Sequence, residues 1–330
     1  MLNRNAEALF WTGRYMERAE NHARLIDVHY HLQRDLPEGD EPDGLKSETE
    51  SQSKWARVVD ALGSRNEYEQ QYGGYREEDV LRYVTMDRDN SNSLVSCVSH
   101  ARANVRTLRE KVPGELWDTV NGFYLWLREK QETEPTPASP HQFFRRIKEW
   151  TALFQGYAQS VMPRENEWHF LEAGRYLERT ENTLRILQAI GNAVPGGDWS
   201  SPEAYPYLQA VLKSVSGNET FRRNHGDGLS VDAIMEFVVL HPVFPRSVHY
   251  SLHAMDRHLC GIELPEKQLR SAHIRVIRQV AKVKADLACL EQEDLVLDKD
   301  GQIVAHLLDA AGQLGLTVAK TYFRLGEASA

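Results

Sequence analysis

Gly13-Arg14-Tyr15-Met16-Glu17-Arg18-Ala19-Glu20-Asn21-His22-Ala23-Arg24 recurs without a gap as Gly174-Arg175-Tyr176-Leu177-Glu178-Arg179-Thr180-Glu181-Asn182-Thr183-Leu184-Arg185. Eight of the twelve positions are identical: Gly, Arg, Tyr, Glu, Arg, Glu, Asn and Arg. The register is constant at an offset of 161, from 13 to 174. Identity this dense points to an internal duplication.

On a helix turning about 100° per residue, Gly13, Glu17, Glu20 and Arg24 line one narrow stripe, and Arg14, Arg18 and Asn21 line the stripe beside it. Leu9, Met16, Ala19, Ala23 and Ile26 take most of the opposite face, and the second copy repeats this with Leu177, Leu184, Ile186 and Leu187. A helix apolar on several sides is largely buried, so its charged stripes need partners inside the fold. Within the helix, Glu20 has Arg24 at i+4 and Glu17 has Arg14 at i−3. Arg18 has no intrahelical acid, which points to the other copy. Gly13 and Gly174 agree with this, because a glycine inside a helix costs about 1 kcal/mol relative to alanine and is kept where two backbones approach closely. The expectation is an all-α, duplicated helical bundle, its motif helices crossing about a pseudo-two-fold axis with crossed Arg–Glu pairs.

Two readings stand for the cluster of Arg14, Glu17, Arg18, Glu20, Asn21 and Arg24 with Arg175, Glu178, Arg179, Glu181, Asn182 and Arg185. One is a buried structural salt-bridge ladder. The other is a ligand or catalytic site built from the four glutamates and their arginines.

The 330 residues suffice for one large helical domain or two units. A net charge of −9 argues against general nucleic-acid binding. No apolar run reaches the roughly 18 residues of a membrane helix, and the first residues do not lead into a signal-peptide core. Cys97, Cys260 and Cys289 are widely spaced, with no pairing or metal-ligand pattern. A cytoplasmic location is expected.

Taken in order, residues 5–34 read as one long helix carrying the first motif. The acidic stretch 35–54, rich in Ser, Gly and Pro, reads as an exposed loop. A helix follows around Trp55–Leu62, then a segment ending near Tyr75; Val80–Met86 leads into a turn over Asp87–Ser93, and helices read over Leu94–Val112 and Leu116–Lys130, then a linker over Gln131–Pro140. The second half carries Phe143–Met162 and a motif helix from about Glu165 to Ile190, then a loop over Gly191–Pro206. The likeness continues downstream: Trp55–Glu67 matches Tyr207–Glu219 at offset 152, and Val80–Val98 matches Ile234–Leu252 at offset 154. Leu269–Leu297 and Ile303–Leu325 read as two closing helices. The organisation expected is a first repeat over 1–140, a second over 141–265, and C-terminal helices over 266–330. Strand signal is scarce, because Gly and Pro punctuate long stretches of 3.6-residue periodicity.

Two turns open helices in matching places, Ser91-Asn92-Ser93 and Phe244-Pro245-Arg246-Ser247. Ser93, Arg246 and Ser247 are candidate anion-binding residues at helix N-termini, with ordinary N-capping as the simpler reading. His22, His29 and His31 cluster near the first motif, but no carboxylate completes a metal site. A di-metal bundle would want Glu-x-x-His pairs; here Glu17/Glu20 and Glu178/Glu181 give Glu-x-x-Glu beside arginines, which oppose a cation. No metal and no cofactor is expected. Phosphate-cradling loops, nucleophile elbows and Cys–His patterns are absent from the sequence.

The residues Arg4, Ala6-Glu7, Trp11, Gly13-Arg14-Tyr15 and Glu17-Arg18-Ala19-Glu20-Asn21 resemble the bacterial alpha-E family, a group without established activity. The resemblance continues through Asp87-Arg88-Asp89-Asn90, Leu153-Phe154-x-Gly156, Gly174-Arg175-Tyr176-Leu177-Glu178-Arg179 and Phe244-Pro245-Arg246-Ser247-Val248. Thr12, Ser91 and His241 depart from the family's usual apolar, Pro and Asp residues. The resemblance implies a setting beside circularly permuted ATP-grasp and transglutaminase-like proteins, hence amide or peptide-bond chemistry, and it supplies no catalytic residues. Three functions follow as expectations: an accessory or substrate-presenting subunit of an ATP-grasp amide ligase, a helical enzyme using the paired glutamates and arginines on a carboxylate or amine, or a structural dimerisation module. No nucleic-acid or membrane partner is expected, and homo-oligomerisation is left open.

Overall fold

The computed structural model describes residues 2–35, 55–133, 140–191, 204–226, 228–264, 266–297 and 301–323. The loops expected at 35–54, 131–140 and 191–206 lie mostly outside them. Among the described residues the fold is all-α, with no strand. Helix α1 runs over Leu2–Asp35. Helix α2 covers residues 55–61, α3 Arg65–Gln71, α4 Glu77–Thr85, α5 Leu94–Thr107, α6 Gly114–Thr133 and α7 Pro140–Val161. The second motif lies on α8, Asn166–Gly191. Then come α9 Tyr205–Ser214, α10 Asn218–His225, α11 Val231–Val239, α12 Val248–Cys260, α13 Lys267–Ala288, α14 Gln292–Leu297 and α15 Gln302–Tyr322.

Helices α3 and α10 were not read from the sequence, and two expected helices end or break differently. The helix expected to reach Val112 ends at Thr107, and residues 108–112 turn before Pro113, because a residue preceding proline is pushed out of helical backbone. The single helix expected over 269–297 is two helices. Cys289 ends α13, and the Asp294 carboxylate then accepts from the Glu291 backbone N–H at 2.9 Å, starting α14 afresh.

Helices α1 and α8 form the axis of the molecule and pack most extensively on each other. Around them, α5 and α7 cover α1, while α12 and α15 cover α8. The crossing depends on the two glycines. A Cβ built on Gly13 would overlap the carbonyl oxygen of Leu171, and one on Gly174 would overlap that of Phe10. Backbone therefore meets backbone in both directions. The surrounding core is rich in large side chains, with Phe10, Trp55, Tyr68, Phe123, Phe144, Phe154, Phe170 and Phe237 buried. Among the described residues no helix is long and apolar enough to cross a membrane.

Candidate functional site

Once the glycines seat α1 against α8, the two charged stripes face each other at the crossing. Burial then demands that every charge find a partner, and the pairing is reciprocal. Arg18 grips Glu178 with two nitrogens, Nε to Oε1 at 2.6 Å and Nη2 to Oε2 at 3.0 Å. Its counterpart Arg179 grips Glu17 in the same manner, Nε to Oε1 and Nη2 to Oε2, both at 2.7 Å. Each central glutamate also accepts from the asparagine one turn on, Asn21 to Glu17 and Asn182 to Glu178, both at 3.3 Å. Forked guanidinium–carboxylate pairs are among the strongest polar contacts. Here Glu17 is 0% and Glu178 1% exposed.

A second guanidinium completes each end. Arg14 donates to Glu178 Oε2 at 2.6 Å and to Glu181 Oε2 at 2.7 Å. At the Glu17 end this place is taken by Arg246, from the turn that opens α12. It donates to Asn21 Oδ1 at 2.7 Å, to Glu17 Oε1 at 3.3 Å and to Glu20 Oε1. Arg175, the motif counterpart of Arg14, does not cross. It bonds Glu172 on its own helix. In the outer tier, Arg24 pairs with Glu20 at i,i+4 and reaches Ser216 Oγ at 2.6 Å. Arg185 lies 3.8 Å from Glu181 and packs against Gly63. The motif thus braces the turns after α9 and α2 as well.

The turns flagged in the sequence sit against this network. Ser93 and Ser247 are N-caps, accepting from Ser96 N at 3.2 Å and Tyr250 N at 3.0 Å. Asn92, at the register of Arg246, accepts from Arg18 Nη1 at 2.6 Å. Pro245 O accepts from Arg179 Nη1 at 3.2 Å. Asn92 and Glu172 are network members that motif reading missed. The acid three residues before Arg175 was a readable signal for Glu172, whereas nothing local marked Asn92.

Electrostatics follow from these partners. Burial pushes the Glu17 carboxyl up, but Arg179 and Arg246 outweigh it and hold the group below its ordinary value. Glu178 behaves alike: burial is opposed and overcome by Arg18 and Arg14. Glu20, buried beside Arg246 and Arg24, is drawn down to about 2. Glu181 is the exception. Burial raises it, Arg14 does not compensate, and the nearby Glu178 charge adds to the rise. Arg246, buried and close to Arg179 and Arg24, is lowered to about 10 and remains a cation at neutral pH. His22 is lowered to about 3 by burial and then by Arg18, and burial with Arg57 lowers His29 to about 4. Both are neutral rings. The side chain of His31 lies outside the described ones. Burial also pushes the Cys97 thiol up to about 12, so it is no nucleophile. Among the described residues no group of three or more His, Cys, Asp or Glu is placed to hold a metal ion.

A family model, Alpha-E, described as a predicted alpha-helical domain with a conserved ER motif, matches residues 1–323. Glu17-Arg18 and Glu178-Arg179 are the two Glu-Arg dipeptides of the sequence, and each contributes one partner to each forked pair at the crossing. The chain is similar to an uncharacterized protein of Mycobacterium bovis, 25% identical over 328 residues that span 94% of this chain and 36% of the relative. Uncharacterized proteins from two strains of Mycobacterium tuberculosis match over the same spans at 25% and 24% identity. The chain spans about a third of the length of these curated relatives. No solved structure matches it.

Proposed function

Because the chain belongs to the Alpha-E family, we propose that its ER motifs form a structural clamp and that the clamped bundle is an accessory or substrate-presenting partner of an ATP-grasp amide or peptide ligase system. One observation carries the clamp: both oxygens of Glu17 and both of Glu178 accept from arginines of the opposite helix. A carboxylate so held is ionised, occupied and a weak proton acceptor, the opposite of what general acid–base work needs. Without a catalytic pair in the motif, the reaction chemistry falls to the partner, and the bundle contributes a rigid surface.

The relatives' length supports a modular role, since a unit like this makes up about a third of a longer polypeptide there. The ligase and transglutaminase-like partners come from the family resemblance of the sequence. Reciprocal pairing at the crossing supports an origin of the 1–140 and 141–265 halves by duplication, with 266–330 closing the bundle in a cytoplasmic protein. The test is to purify the chain with and without a co-expressed ATP-grasp ligase from its genomic neighbourhood and to assay ATP-dependent amide formation. A complex, together with ligation that needs the bundle, is the expected result. Amide formation by the isolated chain, or a ligase indifferent to it, overturns the proposal.

A further inference from the structure

Among the described residues twelve buried side-chain polar atoms lack a hydrogen-bond partner, and five of them gather where α8 meets α12. Trp168 Nε1, His169 Nδ1, Glu172 Oε1 and Arg175 Nε on α8 have no hydrogen-bond partner, and neither has His258 Nδ1 on α12. Buried polar atoms are nearly always satisfied, so this many on two adjoining helices marks a place with a use beyond packing. Glu172 is 1% and Arg175 8% exposed.

Ring contacts of His258 with Trp168, His169 and Tyr176 join the two helices here. The His258 ring meets Trp168 edge-on at 4.6 Å and stacks on Tyr176 at 5.7 Å. Trp168 and Tyr176 are eight residues apart, about two helical turns, so His258 spans the stretch of α8 from which Glu172 projects. The Arg175 guanidinium lies 4.3 Å over the Tyr176 ring, and that of Arg164 lies 4.1 Å over Trp168. His169 packs on Gly261, where a Cβ would overlap its ring. Trp168 and His169 are half-buried and Arg164 and Arg257 exposed, so this corner faces solvent on one side.

The first motif copy supplies a control. At the register of Glu172 it has Trp11, and at that of Arg175 it has Arg14. Trp11, Tyr15 and His100 stack face to face, Arg14 is consumed by Glu178 and Glu181, and none of these side chains holds an orphaned buried atom. The unused set belongs to one copy and is not a requirement of the clamp.

Its chemistry specifies a ligand. Trp168 Nε1 and Arg175 Nε can only donate, whereas Glu172 Oε1 can only accept while ionised. We propose that this corner between α8 and α12 binds a small amino acid, its carboxylate on Trp168 Nε1 and Arg175 Nε, its ammonium on Glu172 Oε1, and the Trp168, Tyr176 and His258 rings around its body. A dianionic phosphate is disfavoured by the buried Glu172 carboxylate. The inference does not rest on a ligase partner, because the isolated chain is what binds.

Calorimetric titration of the full chain at neutral pH tests it, with glycine, L-alanine and L-glutamate as probes and acetate, ammonium chloride and phosphate as separate arms. Saturable single-site binding of at least one amino acid is expected, weakened about tenfold or more by Trp168→Phe and by Glu172→Gln. Helical circular dichroism confirms that each variant is folded; Trp168→Phe, at a half-exposed ring, carries the test if Glu172→Gln unfolds. Absence of saturable amino-acid binding overturns the proposal, as does equal affinity for acetate or phosphate, or undiminished binding by folded Trp168→Phe. A negative result here leaves the ligase assay unaffected, so the two failures are distinguishable.

Discussion

Arg14 and Arg175 stand at the same position of the two motif copies, yet Arg14 crosses to Glu178 and Glu181 while Arg175 stays on its own helix with Glu172. The difference lies one turn earlier. Glu172 offers Arg175 an acid at i−3, whereas Trp11 offers Arg14 only a ring face, 5.0 Å from the guanidinium, and leaves its donors to cross. The place that Arg175 forgoes beside Glu17 is filled by Arg246 from the α12 turn. At the matching turn of the first half the chain has Asn92, which accepts from Arg18. Each central glutamate thus meets two guanidiniums, drawn from different parts of the chain at the two ends. Charge balance at the crossing is the same at both ends, while the residues that supply it differ.

Removing either centre is expected to have the largest effect. Glu17→Gln takes the central acid from Arg179 and Arg246, and Glu178→Gln takes it from Arg14 and Arg18, each costing about 3–5 kcal/mol in urea unfolding. Similar losses are expected despite the different partners; a Glu17→Gln variant as stable as the parent would show that the Arg246 end is not closed.

The glycines come next. Gly13→Ala and Gly174→Ala each push a methyl group into backbone that cannot yield, so overpacking of about 1–3 kcal/mol or more is expected from thermal unfolding. Both contacts are carbonyls of the opposite helix, so this pair should be alike where the arginines are not. A tolerated alanine at one position only would break the symmetry of the crossing.

Glu20 and Glu181, counterparts in the motif, should differ. Glu20 is drawn down to about 2, so its ionised form adds stability above the ordinary carboxylate pKa, and that stability is lost as pH falls toward 2. Glu181 is raised, so its contribution is fully present below the ordinary value and fades as pH rises through the raised one. At neutral pH Glu20→Gln should cost on the order of 1–2 kcal/mol more than Glu181→Gln. The pH profile of stability for each variant against the parent checks the sign, and identical profiles would refute it.

The smallest effect belongs to the rim. The Arg24 side chain is 24% exposed beside Glu20, and Arg24→Ala should cost less than about 1 kcal/mol, less still in high salt.

Much of this arrangement was legible in the repeated stretch. Helical spacing put Glu17, Glu20, Arg14 and Arg18 on adjoining stripes, the absence of an intrahelical acid for Arg18 implied a partner elsewhere, and the paired glycines implied close approach. Pairing of Glu20 with Arg24 was local and readable. The expected Arg14–Glu17 pair does not form, because Glu17 lies C-terminal to Arg14, against the lean of helical side chains, and both find partners across the crossing. Asn92 and Arg246 come from turns remote in sequence, and Arg246 read as an anion-binding residue because a cation at a helix N-terminus looks alike whether its anion is a ligand or a buried glutamate. The break between α13 and α14 was missed because Asp294 caps without a Gly or Pro to announce it.

The clamp is tested most directly by the protonation state of its central acids. Site-resolved carbon NMR of the Glu17 and Glu178 side-chain carboxyls, followed as pH is lowered from about 8 to about 4, should show both ionised throughout, because two arginines hold each below its ordinary value. Protonation of either group near neutrality, as a general acid or base requires, would contradict the clamp and return the motif to the status of a catalytic site.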